Sequence, residues 1–342
     1  MTLRIVHVVC SDGFAGVERH IAVLAPELAR LGCEVVVLGG DGSRMRATLD
    51  PAGVAWFPAS SRGEAAGRLV RLGRPSLVHA HMTEAELVAV ATRPVHRAPV
   101  VATRHFAAGR GSSAAARWVG RRIEGRLAGQ LAISDYVARE SGGATWTVHP
   151  GVPVQESRVP AAERDRTVLV VQRLEPEKST RTAVDAWARS GLAEQGWRLR
   201  LAGEGSERAS IEKDVADRGL GDTVELFGAR DDVAELMRGA GILLAPTPRE
   251  GLGLAVLEAM AAGLPVVASA SGGHDETVGA VTPDSLFAPG DAETAGRLLR
   301  ERASDLARRE RDGDLLQRHQ QAAFTVRRQA QETLRAYQQV LA

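Results

Sequence analysis

The strongest constraint on this chain is a rhythm that starts twice. Leu3–Val9 is a continuous apolar run rich in β-branched residues, which suits a strand buried on both faces. A polar turn follows, Ser11-Asp12-Gly13-Phe14-Ala15-Gly16, then apolar residues at helical spacing (Ile21, Leu24, Leu28, Leu31) closed by Gly32, then a second strand-like run, Glu34–Leu38. Strand, helix and strand in about 30 residues imply a right-handed parallel crossover. The pattern continues with strands near Ser76–His79, Pro99–Thr103 and Gln130–Ile133. A polar stretch, Val154–Arg166, reads as a linker. The rhythm then restarts with strands near Thr167–Val171, Arg198–Leu201, Thr223–Phe227, Ile242–Leu244 and Pro265–Ala268, and Ala292–Ala342 reads as helix. A length of 342 residues fits two domains of this kind. The expected fold is α/β: two tandem Rossmann-like parallel-sheet domains, 1–155 and 166–315, with a cleft between them and a C-terminal helical segment, 316–342, packing back toward the first domain.

Charge excludes some partners. The net charge of +1 argues against a globally basic nucleic-acid binder. Only Lys178 and Lys213 are lysines and there is no Asn, as a GC-rich genome would give, so the excess of Arg is not itself a binding signal. Residues 1–160 carry 19 Arg against 13 acids, a net of +6, and residues 161–342 carry 24 basic residues against 29 acids, a net of −5. Two cysteines, Cys10 and Cys33, make no disulfide framework or metal cluster. No secretory signal or membrane-spanning run is evident, so the expected location is cytoplasmic.

In doubly wound sheets ligands bind beyond the carboxyl ends of the strands, and the unusual residues cluster there. After Ile242–Leu244 comes Pro246-Thr-Pro-Arg-Glu-Gly-Leu-Gly-Leu-Ala-Val-Leu-Glu-Ala-Met260. The prolines force extended backbone, Gly251 and Gly253 permit close approach, and a helix expected to start near Leu252 offers its N–H groups to an anion. Glu258, one turn into that helix from Leu254, can accept two hydrogen bonds from a vicinal diol. After Thr167–Val171 comes Gln172-Arg-Leu-Glu-Pro-Glu-Lys178, where Arg173 can clamp a phosphate and Lys178 adds a point charge. After Arg198–Leu201 comes Ala202-Gly203-Glu204-Gly205. No full G-x-G-x-x-G follows either first strand, which argues against a nicotinamide dehydrogenase. In the first half, Gly16-Val17-Glu18 opens a helix, and His79, His81 and His105 lie near strand ends. A His-x-His pair suggests a metal only with further ligands, and none are spaced suitably. Asp231-Asp232 reads as a helix cap.

Together these clusters resemble the family 4 retaining glycosyltransferases, which have the GT-B fold. The resemblance runs along nearly the whole chain. It rests on Glu250-x7-Glu258, on Arg173-x4-Lys178, on Ala202-Gly203-Glu204-Gly205, Phe227-Gly228 and Gly272-Gly273-x2-Glu276. Gly16-Val17-Glu18, His79-x-His81, Thr103-x-His105, Ile133-Ser134 and Pro150-Gly151-Val152 match as well. Ala15 stands where the family often has Gly, and Pro150 where it often has Asn. The resemblance implies a retaining hexosyltransferase that uses a UDP- or GDP-sugar without a metal or other cofactor, for glycolipid, cell-surface polysaccharide or natural-product synthesis. Arg173 and Lys178 would hold the diphosphate, helped by backbone at Gly251, Leu252, Gly253 and Leu254. Glu258 would bind the ribose and Glu250 the donor sugar. Gly203, Gly228 and Arg230 would flank the nucleotide, Gly16 would approach the phosphate, and His105 would meet the reacting region. Glu18, His81, Arg104 and Arg117 are the acceptor-side candidates. The acceptor is expected to be anionic or lipid-linked, with no nucleic acid as partner, and the basic stretch Arg110–Leu131 with Trp118 suits an anionic membrane surface at the inner face of the plasma membrane. The alternatives are a nucleotide-sugar 2-epimerase and a non-catalytic nucleotide-sugar binding protein.

Overall fold

A computed structural model describes residues 2–107 and 114–342, with side chains from 118 onward in the second span except that of residue 119. The chain divides into two compact units, Met1–Gly151 with Val326–Ala342, and Val152–Thr325.

Unit 1 runs β1 (Arg4–Val9), α1 (Gly16–Arg30), β2 (Glu34–Leu38), α2 (Gly42–Leu49), β3 (Ala55–Phe57), α3 (Arg62–Arg71), β4 (Leu77–His81), α4 (Met82–His96), β5 (Val100–Arg104), α5 (Ala114–Glu124), β6 (Gly129–Ala132), α6 (Asp135–Ser141) and β7 (Trp146–Thr147). The seven strands are ordered β3-β2-β1-β4-β5-β6-β7, all parallel. Alternation along each strand gives the sheet two apolar faces. Ile5, Val9, Val35, Val37, Leu77 and Val101 pack with Ile21, Leu24 and Leu28 of α1, while Val6, Val8, Val36, Val78 and Val100 pack with Leu69 of α3 and Val88 of α4. Residues Val326–Ala342 belong to this unit. Helix α14 (Val326–Leu341) joins the α1 face, burying Ala330, Ala336 and Tyr337. Its Gln329 accepts from the Gly151 N–H at 2.8 Å.

Unit 2 runs β8 (Thr167–Val171), α7 (Thr180–Ser190), β9 (Arg198–Ala202), α8 (Arg208–Asp217), β10 (Val224–Gly228), α9 (Val233–Gly239), β11 (Ile242–Ala245), α10 (Leu254–Ala261), β12 (Val266–Ser269), α11 (Gly273–Glu276), β13 (Leu286–Phe287), α12 (Ala292–Ser304) and α13 (Leu306–Ala323). The six strands are ordered β10-β9-β8-β11-β12-β13, also parallel. Trp187 of α7, fully buried, anchors a core of Val168, Val170, Leu199, Leu201, Ile242 and Leu244 with Leu299 of α12.

Three strands were not expected from the sequence: β3, β7 and β13 are edge or near-edge pieces of two or three residues, too short to show a period. The His79–His81 segment lies inside β4 rather than after it. The linker is more than polar spacer. Arg164 is buried and donates to the carbonyls of Val159, Met237, Arg238, Ala240 and Ala262 at 2.7–3.1 Å, and burial lowers its pKa to about 10.

Tyr337 is 0% exposed and bonds His79 Nδ1 at 2.5 Å. Tyr337→Ala should therefore destabilise the protein by about 3–5 kcal/mol, as large aromatic truncations in cores do. Tyr337→Phe should lose only about 1–3 kcal/mol, the range for stranding a buried partner. Denaturant unfolding of the two variants measures both, and equal losses would contradict the contact.

Candidate active site

Each sheet reverses its strand order once, at β1/β4 and at β8/β11. Such reversals leave a crevice at the carboxyl ends. In unit 2 the loops leaving β8 and β11 meet there: Lys178 Nζ lies 2.7 Å from Glu250 Oε2, with both side chains about one-fifth exposed. Gln172 braces the arrangement. Its Nε2 donates to the Lys178 carbonyl (3.0 Å) and to Thr180 (2.9 Å), and its Oε1 accepts from Thr247 at 3.1 Å. Ser179, directly after Lys178, is held at φ 50°, ψ 45°, a left-handed conformation that costs a non-glycine residue on the order of 1 kcal/mol.

Glycines bring the neighbouring loops together. Gly203 has φ +150°, and a Cβ there would lie 1.8 Å from the Gln172 carbonyl oxygen. A Cβ on Gly205 would lie 2.3 Å from the Leu174 oxygen, and one on Gly273 2.2 Å from Leu252 Cα. Gly228, at φ +71°, packs on Glu204 and accepts from the Gly203 N–H at 2.8 Å. Helix α10 starts at Leu254 with Gly253 as N-cap at φ +90°, two residues later than expected, because Leu252 is buried in the loop and Gly253 turns the chain. Its first N–H groups, from Leu254 onward, have no intrahelical acceptor and carry the positive end of the helix dipole. Glu258 is half-buried one turn along α10.

Other expected residues are placed differently. Arg173 is exposed and pairs with Glu177 at 2.7 Å rather than with anything at Lys178. Arg230 clamps Asp232 with two bonds of 2.7 and 2.5 Å and lies over the Phe227 ring, so Asp232 stands at the N-cap of α9 without capping it through its side chain. Sequence reading passed over His274. It is buried in α11, its Nδ1 bonds the Ser269 carbonyl at 3.0 Å, and its Nε2 lies on Gly253 beside Glu250. The Nδ1–H must therefore be the donor, which leaves Nε2 as an acceptor. Burial lowers its pKa, opposed by the Glu250 charge and assisted by Lys178. The signal was a histidine directly after Gly272-Gly273.

In unit 1 the register explains the histidines. His7 of β1 pairs with His79 of β4, and Val9 pairs with His81, which pairs with Thr103 of β5. With His105 two residues after Thr103, His7, His79, His81 and His105 share one face, and His20 of α1 covers them, its ring 5.0 Å from that of His105. No sequence spacing shows this cluster, because four elements contribute to it. His79 bonds Tyr337 and Thr103, at 2.5 and 2.7 Å. His81 is 0% exposed and Arg104, at 7%, lies 4.0 Å from the buried Glu86, so both acceptor-side candidates are interior. Glu18 is buried too and accepts from the Ala15 N–H at 2.9 Å, closing the start of α1. Ala15 has φ −108°, ψ −158°, extended backbone that needs no glycine, and Gly16 is exposed. His105 keeps 9% exposure. Arg110 and the Arg117 side chain lie outside the described residues. On the remaining part of that stretch Trp118 is half exposed with Arg122 4.6 Å over its ring, and Arg121 and Arg126 are exposed. No described helix is long and apolar enough to cross a membrane.

Comparison with known proteins agrees with this architecture. Residues 154–313 match the family described as glycosyl transferases group 1, and residues 14–154 match glycosyltransferase family 4. The 2-deoxystreptamine glucosyltransferase of Streptomyces kanamyceticus is 39% identical over 143 residues, 40% of this chain and 37% of that protein's length. Glycogen synthase of Mycobacterium tuberculosis is 30% identical over 323 residues, covering 77% of this chain and 76% of the relative. Among solved structures, Anabaena HepE in complex with UDP and glucose superposes with a TM-score of 0.84, at 17% identity, over 98% of this chain and 100% of that one. At that identity the likeness establishes the fold.

Two outcomes test this geometry. Gly203→Ala should lower stability by several kcal/mol, since its Cβ would overlap the Gln172 carbonyl, whereas Gly63→Ala, with open space in α3, should be neutral or gain about 0.5–1 kcal/mol. Calorimetry of both separates them. The histidine cluster sets a pH dependence. Burial lowers His7 to about 3 and His20 to about 4, and holds His79, His81 and His105 well below their ordinary 6.5. The unfolded chain then binds more protons than the folded one below pH 6.5, so stability is complete above that value and is lost as pH falls toward 4. Each such histidine removes about 1.4 kcal/mol per pH unit within its window. Denaturant midpoints from pH 8 to 4.5 should fall steeply below 6.5; a flat profile would contradict buried neutral rings.

Proposed function

Because the chain belongs to glycosyltransferase family 4, we propose that it transfers a hexose from a nucleoside diphosphate sugar to an acceptor hydroxyl with retention of anomeric configuration. The observation that carries this reading is the Lys178–Glu250 pair beside the start of α10. A partly exposed ion pair is worth at most about 1 kcal/mol, whereas charge-assisted bonds to phosphate are worth roughly 1.5–3 kcal/mol each. An arriving diphosphate therefore takes Lys178 from Glu250. That one exchange gives the phosphate its cation and frees the Glu250 carboxylate to accept from a sugar hydroxyl. The N–H groups at the start of α10 add positive potential where charge develops on the leaving phosphate. Arg173, at the mouth of the same loop, supplies a second cation once it leaves Glu177, so no metal ion is required for charge neutralisation.

Glu258 binds the ribose diol, and the loop around Gly228 with Arg230 and Phe227 flanks the base. His274 offers its bare Nε2 to a donor hydroxyl. In unit 1, Gly16 and His105 are the residues offered to substrate. The departing phosphate oxygen itself takes the proton of the acceptor hydroxyl, so a C–O bond to the acceptor forms on the face from which the phosphate leaves. UDP and glucose in HepE support a uridine donor. The exposed Trp118 with Arg121, Arg122 and Arg126 gives unit 1 a basic face for an anionic acceptor or lipid headgroups, and the enzyme works at the cytoplasmic side of a membrane.

A thermal-shift and hydrolysis screen with UDP-, GDP-, ADP- and dTDP-sugars tests the donor. One nucleotide should raise the melting point by mass action, and release of free nucleoside diphosphate should accompany an added acceptor. Lys178→Ala should lower kcat at least about 100-fold, as removal of a transition-state charge partner does, without lowering the melting temperature. Unchanged turnover in that variant would refute the assigned roles, and donor inversion at C2 without transfer would make the protein an epimerase. Sedimentation with phosphatidylserine vesicles should show binding at low salt that is lost at high salt; no binding at low salt removes the membrane contact.

A further inference from the structure

Three of the five clustered histidines form one hydrogen-bonded chain. His7 Nδ1 lies 3.0 Å from His81 Nε2, and His81 Nδ1 lies 3.0 Å from His105 Nε2. The inner end is sealed: His7 is 0% exposed and its Nε2 has no partner. The outer end is His105 Nδ1, which makes no bond among the described residues, on a ring that keeps 9% exposure. Burial keeps these rings uncharged, so each carries one proton on nitrogen.

Only two arrangements satisfy both bonds. Neutral His81 must donate one and accept the other. If His81 is protonated on Nδ1, it donates to His105 and accepts from His7 Nδ1–H; the sealed atom, His7 Nε2, is then a bare lone pair and His105 carries its proton on the outer Nδ1. If His81 is protonated on Nε2, every proton shifts, and His7 Nε2–H becomes a buried donor with no acceptor. Orphaned buried N–H groups are the rarer defect in folded proteins, and leaving one unmade costs about 1–3 kcal/mol. The first arrangement is favoured.

We propose that His81 and His7 are positioning residues that hold His105 as its Nδ1–H tautomer, so that the ring offers a fixed, uncharged hydrogen-bond donor to an acceptor oxygen of the substrate, a hydroxyl or phosphate oxygen. The substrate part of this inference rests on the transferase reading; the tautomer does not. The groups facing the chain are His20 of α1, His79 of β4, Arg104 of β5 with Glu86 of α4 behind it, and Tyr337 of α14. The ligating nitrogens of His7, His79 and His81 lie within 4.8 Å of one another, but five of the six ring nitrogens already have partners. A cation would have to break at least two of those bonds, so the hydrogen-bonded chain is the better use of the same rings.

The test is nitrogen-15 imidazole NMR of the full-length protein without ligand. His7, His81 and His105 should each show a protonated Nδ1 and a bare Nε2, unchanged from pH 8 to 5.5. An Nε2–H signature at His105, averaging between tautomers, titration near 6.5, or stoichiometric zinc in the purified protein would overturn the proposal. This readout needs no variant and no turnover. In His81→Phe, where burial still holds His105 uncharged, the ring should lose its single tautomer, and kcat/KM should fall about 10-fold, equivalent to one hydrogen bond. A retained Nδ1–H tautomer in that variant also overturns the positioning role. Tautomer loss with unchanged kcat/KM would instead overturn the substrate role of His105, and with it only the part that depends on the transferase reading.

Discussion

The order of strands reverses once in each sheet, and everything chemical in the molecule follows from that reversal. Helix α1 after β1 covers one face and α4 after β4 the other; α7 after β8 and α10 after β11 part in the same way. The loops that leave two neighbouring strands therefore diverge, and the carboxyl ends between them stay uncovered by helix. Lys178 stands on one side of such a gap and Glu250 on the other. In unit 1 His7 and His81 sit on the two strands that flank the gap. The non-glycine residues in left-handed backbone beside these groups, Ser179 after Lys178 and Met82 after His81, show local strain retained where the chain turns out of the crevice.

Charge acts locally here. Unit 2 is built from the acidic part of the chain, yet its Lys178 is fixed by Gln172 and by an ion pair weak enough to be exchanged. Unit 1 is built from the basic part, yet its interior polar cluster is neutral because burial overrides the titration of five imidazoles. Net charge per region thus describes the surfaces, while burial and hydrogen bonding decide what each site can bind.

The architecture was legible in the sequence because parallel strands buried on both faces read as continuous apolar runs, and those runs were long enough in β1, β2 and β8 to be unmistakable. Glu250, Glu258, Lys178 and the glycines around Gly203 and Gly253 could be found because the loops that hold them are contiguous. The structure brings Lys178 and Glu250 together but leaves Arg173 on Glu177. What could not be read were effects of register. His7, His20 and His105 come from β1, α1 and the turn after β5, so the pair His79-x-His81 of β4 looked isolated. Glu18 and Arg104 were plausible as ligands only while their burial was unknown. Arg164 looked like linker charge because four of its five carbonyl partners are distant in sequence.

The proposed donor site puts a nucleoside diphosphate at the carboxyl ends of β8, β9 and β11, where it takes Lys178 from Glu250. Hydrogen–deuterium exchange with and without saturating UDP tests it most directly. New protection should concentrate in residues 172–180, 203–208 and 250–258, with the amino-terminal ends of the same strands, around Arg166 and Trp197, unchanged. Protection at Arg166 and Trp197, or none in the 172–180 and 250–258 segments under conditions where UDP binds, would contradict it.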